Sequence, residues 1–223
     1  MMRIQITDYN GADVVLSNNY STEWAEIQSS LQALPLHLKA SDQAGIQGTP
    51  IFDPVGTNKY IKADLVRKGW IPNIRIPTEF KFLGSNIDFG KSGMLVEVQF
   101  SNYPFLLNNA IRSELFHKSG FVIAGRQMEI AVFIVKAHMF PCSNSTLYYE
   151  QAVKQLDSLV VHHVFDVPMR LIGLFENEGQ NIPATWTEYS NPRYSREVTS
   201  RRNLTCSINI PPGRGRIADI TLI

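Results

Sequence analysis

An α/β core followed by a small β-rich subdomain is the fold class this chain predicts, on three observations. Strand-like apolar runs alternate with helical periodicity through the middle of the chain, helical periodicity is lost from Ile182 onward, and turn residues divide the remainder into short β-like pieces. The division falls between an α/β core over 1–181 and a β-rich elaboration over 182–223.

Taken in order, Ser21 or Thr22 is placed to cap a helix in which Trp24, Ile27 and Leu31 recur at helical spacing, with Pro35 limiting it. A second helical pattern centres on Ile61 and Leu65 and stops near Gly69. The proline-marked, extended stretch from Ile71 to Pro77 follows. Asn102 is an N-cap candidate for a helix with Pro104 in its first turn, running to about Gly120. Met128 to Met139 and Val167 to Leu174 read as buried strands, and Ser145 to Val160 as a helix between them. The last β-like pieces are Ala184 to Tyr189, Tyr194 to Thr199, Leu204 to Ile210 and Ile217 to Ile223, separated by turn residues at Asn191-Pro192 and Pro211-Pro212-Gly213.

The 223 residues, 44% hydrophobic and 18% charged, suffice for a sizeable core, and a formal net charge of +1 argues against indiscriminate polyanion binding. The charge is uneven, however. Arg193, Arg196, Arg201, Arg202, Arg214 and Arg216 lie in a stretch whose acid is Glu197, and Lys59, Lys62, Arg67, Lys68, Arg75, Lys81 and Lys91 form a second basic run. These are either solvated faces or a field focused on a bound duplex. Cys142 and Cys206 form neither a ligand spacing nor a disulfide framework, and His117, His138, His162 and His163 have apolar neighbours and no ligand spacing, so no zinc site is expected. No apolar run approaches bilayer length and the N-terminus lacks a signal-like apolar region; no membrane association and a cytoplasmic location are expected. Three Asn-x-Ser/Thr triplets, at Asn19, Asn144 and Asn203, are read as chance matches.

The chemistry concentrates between Asp88 and Gln99. From Gly93 the chain alternates, with Met94, Val96, Val98 and Phe100 apolar and Leu95, Glu97, Gln99 and Ser101 on a more polar face. Gly90 and Gly93 flank Lys91 and Ser92 and permit a reversal. A turn of four to six residues there would set Asp88 opposite Glu97, roughly 5 Å apart, a spacing that suits Mg²⁺ held by hard oxygens. The plainer reading is a pair of acids pointing to solvent.

This pattern, with Glu97 and Gln99 on one strand and an acid on the preceding one, matches the PD-(D/E)xK nuclease core with Gln where Lys usually stands. The segments Ile51-Phe-Asp-Pro-Val-Gly-Thr-Asn58, Ile87-Asp-Phe-Gly-Lys91, Leu95-Val-Glu-Val-Gln-Phe-Ser-Asn-Tyr-Pro-Phe-Leu-Leu-Asn-Asn109, Arg112-Ser-Glu-Leu-Phe-His-Lys-Ser119 and Leu147-Tyr-Tyr-Glu-Gln-Ala152 closely resemble the BglII family of type II restriction endonucleases. Similarity is densest from Asp42 to Phe175 and weakens beyond Glu176, although Arg193-Tyr-Ser-Arg196 is still similar.

The resemblance implies a PD-(D/E)xK endonuclease core with a mixed central sheet flanked by helices, plus the small β-rich C-terminal subdomain. It implies a Mg²⁺-dependent, site-specific deoxyribonuclease that is a homodimer on double-stranded DNA. The expected site is a GATC-centred palindrome, AGATCT or a related hexamer, cut to leave 5′ overhangs, with a cognate DNA methyltransferase acting on the same sequence. Its metal ligands fall on Asp88, Glu97 and the Val98 carbonyl, and its catalytic set on Asp88, Glu97, Gln99 and Asn73. Its base- and backbone-contacting residues fall on Ser101, Asn102, Asn144, Ser145, Arg193, Tyr194, Ser195 and Arg196. Ile87 stands where the general motif has Pro. Pro192 stands where the family is expected to carry Lys, which leaves the outer base pairs open. Two other readings compete: a repair or resolvase nuclease on the same core, and a DNA-binding protein without catalysis.

Overall fold

A computed structural model describes residues 2–142, 146–191, 197–213 and 217–223. The chain begins with strand β1 (Arg3–Tyr9) and helices α1 (Ala12–Asn19) and α2 (Ser21–Gln32). Tyr20 holds the cap position of α2 and Ser21 is its first residue, so no Ser or Thr side chain caps it as expected. Strands β2 (Leu36–Ala40) and β3 (Pro50–Phe52) precede α3 (Pro54–Arg67), whose start is set by Asp53: its carboxylate accepts the Val55 N–H at 3.1 Å, and Pro54 supplies a preset φ. Strand β4 (Ile71–Arg75) and a short 3₁₀ turn lead to the hairpin of β5 (Asn86–Lys91) and β6 (Met94–Val98).

The hairpin turn is tighter than expected. Two residues close it, Ser92 at φ 50° and Gly93 at φ 88°, the left-handed pair that matches strand twist in a two-residue loop. A Cβ on Gly93 would lie 2.4 Å from the Gln127 carbonyl oxygen, which fixes glycine there twice over.

Helix α4 (Pro104–Ser119) starts after Tyr103 with no side-chain cap and ends on Gly120 at φ 67°. The Asn102 cap is not formed; Asn102 instead bridges to Thr146. A small hairpin, β7 (Val122–Ile123) and β8 (Arg126–Gln127), is followed by β9 (Ile130–Lys136), α5 (Tyr149–Val161) and β10 (Met169–Phe175). The end of the chain forms β11 (Gly179–Tyr189), β12 (Val198–Asn209) and β13 (Asp219–Leu222). The expected piece at Leu204–Ile210 thus belongs to one long strand that begins at Val198.

Six strands make a mixed central sheet in the order β1-β10-β9-β6-β5-β4, parallel at β10/β9 and β9/β6 and antiparallel elsewhere. The second sheet runs β13-β12-β11-β2-β3, so β2 from the N-terminal third pairs with the C-terminal β11 and β3 extends the sheet from β2. Residues alternating along the central strands feed two cores. Met94, Val96, Val132 and Ile134 pack with α1, α2, α3 and the second sheet, through Leu16, Ile27, Ile61, Leu38 and Trp186. Leu95, Ala131, Phe133 and Val135 pack with α4 and α5, through Leu106, Phe116 and Leu156. The second face of β6, read as the more polar one, is buried too, because β6 lies in mid-sheet with a helical layer on either side.

Two stability predictions follow from these packing facts. Gly93→Ala should lower unfolding free energy by roughly 1–3 kcal/mol in urea melts, through positive-φ strain and the carbonyl contact. Glu176, just past β10 and 1% exposed, lies beside Leu34, Pro35 and Ile182, and burial pushes its carboxyl up to about 7. With the folded value raised, the contribution is full below about 4.5 and is lost as pH rises through about 7. Glu176→Gln should accordingly match the parent at pH 4 and gain on it between about 4.5 and 7, reaching about 1–3 kcal/mol by pH 8.

Candidate active site

Register brings the acids together. β5 and β6 pair Phe89 with Val96 and Gly90 with Leu95, which sets Asp88 opposite Glu97 one step along. On the other side, β4 pairs Pro72 with Phe89 and Ile74 with Ile87, so Asn73 falls opposite Asp88. Asn73, Asp88 and Glu97 thus occupy one cross-strand row. Asn73 is exposed and sits at φ 53°, a left-handed geometry that asparagine tolerates better than most residues.

The two carboxylates differ in environment. Asp88 is half-buried and one of its oxygens accepts the Val98 N–H at 2.8 Å. Glu97 is buried and forms an ion pair with Arg112 of α4, itself buried. Burial pushes the Glu97 carboxyl up, the Arg112 guanidinium pulls it back toward the charged form, and the Asp88 carboxylate raises it again, so it is held above the usual carboxylate range. Arg112 also donates through one terminal nitrogen to the carbonyls of Leu83 and Asn86, each at 3.3 Å.

Gln99 continues the strand direction past β6, with its N–H on the Ile134 carbonyl at 2.8 Å. Its side-chain amide is held at both ends: Nε2 donates to Ser101 Oγ at 2.9 Å, and Oε1 accepts from Asn109 of α4 at 3.4 Å. Ser101 and Asn102 are both exposed. The Leu147 N–H donates to the Ser101 carbonyl at 3.0 Å, and Asn102 bridges to Thr146, so these two residues lie against the segment that follows Asn144 and Ser145. Asn144 and Ser145 themselves, like Arg193, Tyr194, Ser195 and Arg196, lie outside the described residues.

Hard-oxygen donors side by side, with one of two negative charges balanced by a guanidinium, form a set that fits a divalent cation such as Mg²⁺ better than a softer metal. Among the described residues no group of three or more His, Cys, Asp and Glu side chains is gathered for a metal.

Sequence reasoning missed Arg112 and Asn109. The signal was present: on α4 the buried stripe Leu106, Asn109, Arg112, Ser113 and Phe116 follows helical spacing, with three polar residues at inward positions. Part of the expected basic field is internally balanced. Lys91 pairs with Glu26 at 2.8 Å, and Arg67 and Lys68 both pair with Asp64, whereas Arg201 and Arg202 on β12 are exposed.

Comparison with known proteins agrees with this arrangement. A family model described as restriction endonuclease BglII/BglIII matches residues 4–174. The type II restriction enzyme BglII of Bacillus subtilis is 58% identical over 200 residues, covering 90% of this chain and 88% of that enzyme. Among solved structures, restriction endonuclease BglII complexed with a DNA 16-mer matches with a TM-score of 0.94 at 53% identity, and free BglII with 0.77 at 50%, each covering 100% of both chains. With the acid-bearing hairpin, the mixed sheet and these matches in agreement, the chain belongs to the BglII/BglIII family of restriction endonucleases.

Proposed function

We propose that the protein is a Mg²⁺-dependent type II site-specific deoxyribonuclease, acting as a homodimer on a GATC-centred palindrome, AGATCT or a related hexamer, and leaving 5′ overhangs. The observation that carries this reading is the pairing of Asp88 with Glu97 on adjacent strands, in a fold that matches a DNA-bound restriction enzyme along its full length.

Asp88, Glu97 and the Val98 carbonyl would hold the cation. A divalent ion there supplies charge neutralisation at the scissile phosphate and makes a neighbouring water more acidic. The remaining work falls to this chain's own groups. Gln99 cannot remove a proton at neutral pH, because an amide does not titrate; held between Ser101 and Asn109, it orients a water or a phosphate oxygen. Asn73, exposed and in the same row as Asp88, is placed to donate to a phosphate oxygen. Ser101 and Asn102 address base edges beside the active strand, together with Asn144 and Ser145, while Arg193, Tyr194, Ser195 and Arg196 supply further base and phosphate contacts.

A two-fold dimer presents the same side chains to each half-site and one active site to each strand. An apolar face supports this assembly: Leu107 and Ile111 of α4, with Val161 at the end of α5 and Val164 beyond it, are all exposed. A cognate methyltransferase would protect the same sequence without binding this chain, and the enzyme would work in the cytoplasm beside the DNA it polices. No helix among the described residues is long and apolar enough to cross a membrane.

Incubating plasmid with the protein and Mg²⁺, then sequencing the ends, should give discrete fragments cut at GATC-centred hexamers. Ends unrelated to GATC would overturn the specificity, and specific binding without cutting would favour a non-enzyme. Asp88→Asn and Glu97→Gln should each slow single-turnover cleavage on the order of a thousandfold or more while retaining duplex binding in a gel-shift assay. Gln99→Lys should also cut more slowly; unchanged cleavage would end the positioning role of the amide. Ile111→Asp should sediment as a monomer and lose double-strand cleavage, and a dimeric, active variant would move the interface elsewhere.

A further inference from the structure

We propose that Arg112 and Asn109, three residues apart on the inward face of α4, are positioning residues for cleavage: Arg112 fixes the Glu97 carboxylate and Asn109 the Gln99 amide before cation and DNA arrive. This deepens the nuclease reading and rests on it.

The geometry assigns Arg112 an indirect role. One terminal nitrogen meets Glu97, and the other is shared by the Leu83 and Asn86 carbonyls, so a guanidinium only 4% exposed is tethered at three points. It is not free to swing to a phosphate; what it does reaches the reaction through Glu97. The surroundings are shaped to keep it there. A Cβ on Gly84, at φ +127°, would come within 2.8 Å of that second nitrogen, and Asn108 donates to the same Leu83 carbonyl at 3.0 Å. Because Asn86 opens β5, the same tether fixes the approach to Asp88 as well as Glu97 itself.

Stability alone does not account for this arrangement. A buried ion pair is often no better for stability than well-packed apolar side chains, and Arg112 Nε has no hydrogen-bond partner among the described residues. A side chain chosen for packing would not leave a donor buried and unpaired. Asn109 repeats the design one turn earlier. It is 6% exposed and its amide is directed at Gln99 Oε1, whose other end is held by Ser101. Helical spacing puts 109 and 112 on one face, and β6 continuing into Gln99 puts 97 and 99 on one face; the two pairs meet rung to rung.

The test separates positioning from folding and from the nuclease reading. Ca²⁺ is titrated by calorimetry into the protein bound to an uncut AGATCT duplex, and single-turnover cleavage is followed across Mg²⁺ concentrations. Arg112→Met should raise the Ca²⁺ midpoint about tenfold or more, and Arg112→Lys, which keeps the charge but loses the fork, should fall between it and the parent. Duplex affinity without metal should change less than about threefold, because the expected DNA contacts are elsewhere. Asn109→Ala should leave the Ca²⁺ midpoint unchanged and slow the Mg²⁺ reaction about tenfold, since Gln99 is not a ligand.

Removing a cation beside the site also lessens repulsion, so a midpoint that stays level or falls in both Arg112 variants overturns the proposal. Should Arg112→Met fail to fold by circular dichroism, Arg112→Lys decides alone, and a parental midpoint overturns the assignment. Parental cleavage by Asn109→Ala overturns its half. If the parent protein does not cut in Mg²⁺, the nuclease reading fails, while the Ca²⁺ midpoints still report what Arg112 does.

Discussion

Everything around the candidate site depends on one electrostatic constraint: a carboxylate carried on a strand buried on both faces. Glu97 lies in the middle of a six-stranded sheet, and an isolated charge there is strongly disfavoured. Arg112 offsets that cost, but a guanidinium brought inside needs its own acceptors, which the Leu83 and Asn86 carbonyls provide. Those carbonyls must then be held close, so Gly84 has no side chain where one would collide with Arg112. Asp88 meets the same constraint differently, being half-buried with the Val98 N–H on one oxygen.

The topology then determines what stands near the acids. β6 and β9 are parallel neighbours, so their carboxyl ends reach the same edge of the sheet. From β6 the chain runs into Gln99, Ser101 and Asn102; beyond β9, Thr146 bridges to Asn102. The contacts from Ser101 to Leu147 and from Asn102 to Thr146 follow from that shared polarity. Ligand-contacting residues gather at the carboxyl ends of parallel strands in open α/β sheets for the same reason.

How much of this was legible in the sequence depended on whether the deciding force was local. β9 and β10 were readable because strands buried on both faces are continuous apolar runs, and α3 because the Ile61/Leu65 spacing and the stop near Gly69 mark it locally, although its start at Asp53 and Pro54 was not read. β1 and α1 were not: β1 is an edge strand of mixed polarity, and α1 is a short helix behind a Gly11 cap. The pairing of β2 with β11 is a contact between distant segments, which no local pattern encodes. Within the site, the shared face of Glu97 and Gln99 was visible from alternation, the approach of Asp88 to Glu97 followed from a reversal at the glycines, and the family resemblance supplied their purpose. Arg112 was hidden because a lone arginine on an amphipathic helix looks like surface until its place in the inward stripe is counted.

Gln99 shows why the position usually filled by lysine need not be filled by a cation here. An ammonium only donates, whereas the amide donates to Ser101 and accepts from Asn109 at once. Lysine at 99 would leave the buried Asn109 amide facing a second donor and would add a positive charge close to the one Arg112 already supplies. With Glu97 balanced by Arg112, charge at this end of the sheet is set from α4, which leaves residue 99 to serve as a neutral link. That link joins the exposed Ser101, at the head of the segment expected to touch bases, to the strand that carries the acid. Displacement of Ser101 on a bound duplex would therefore be felt at Gln99 through one hydrogen bond, and at α4 through the next.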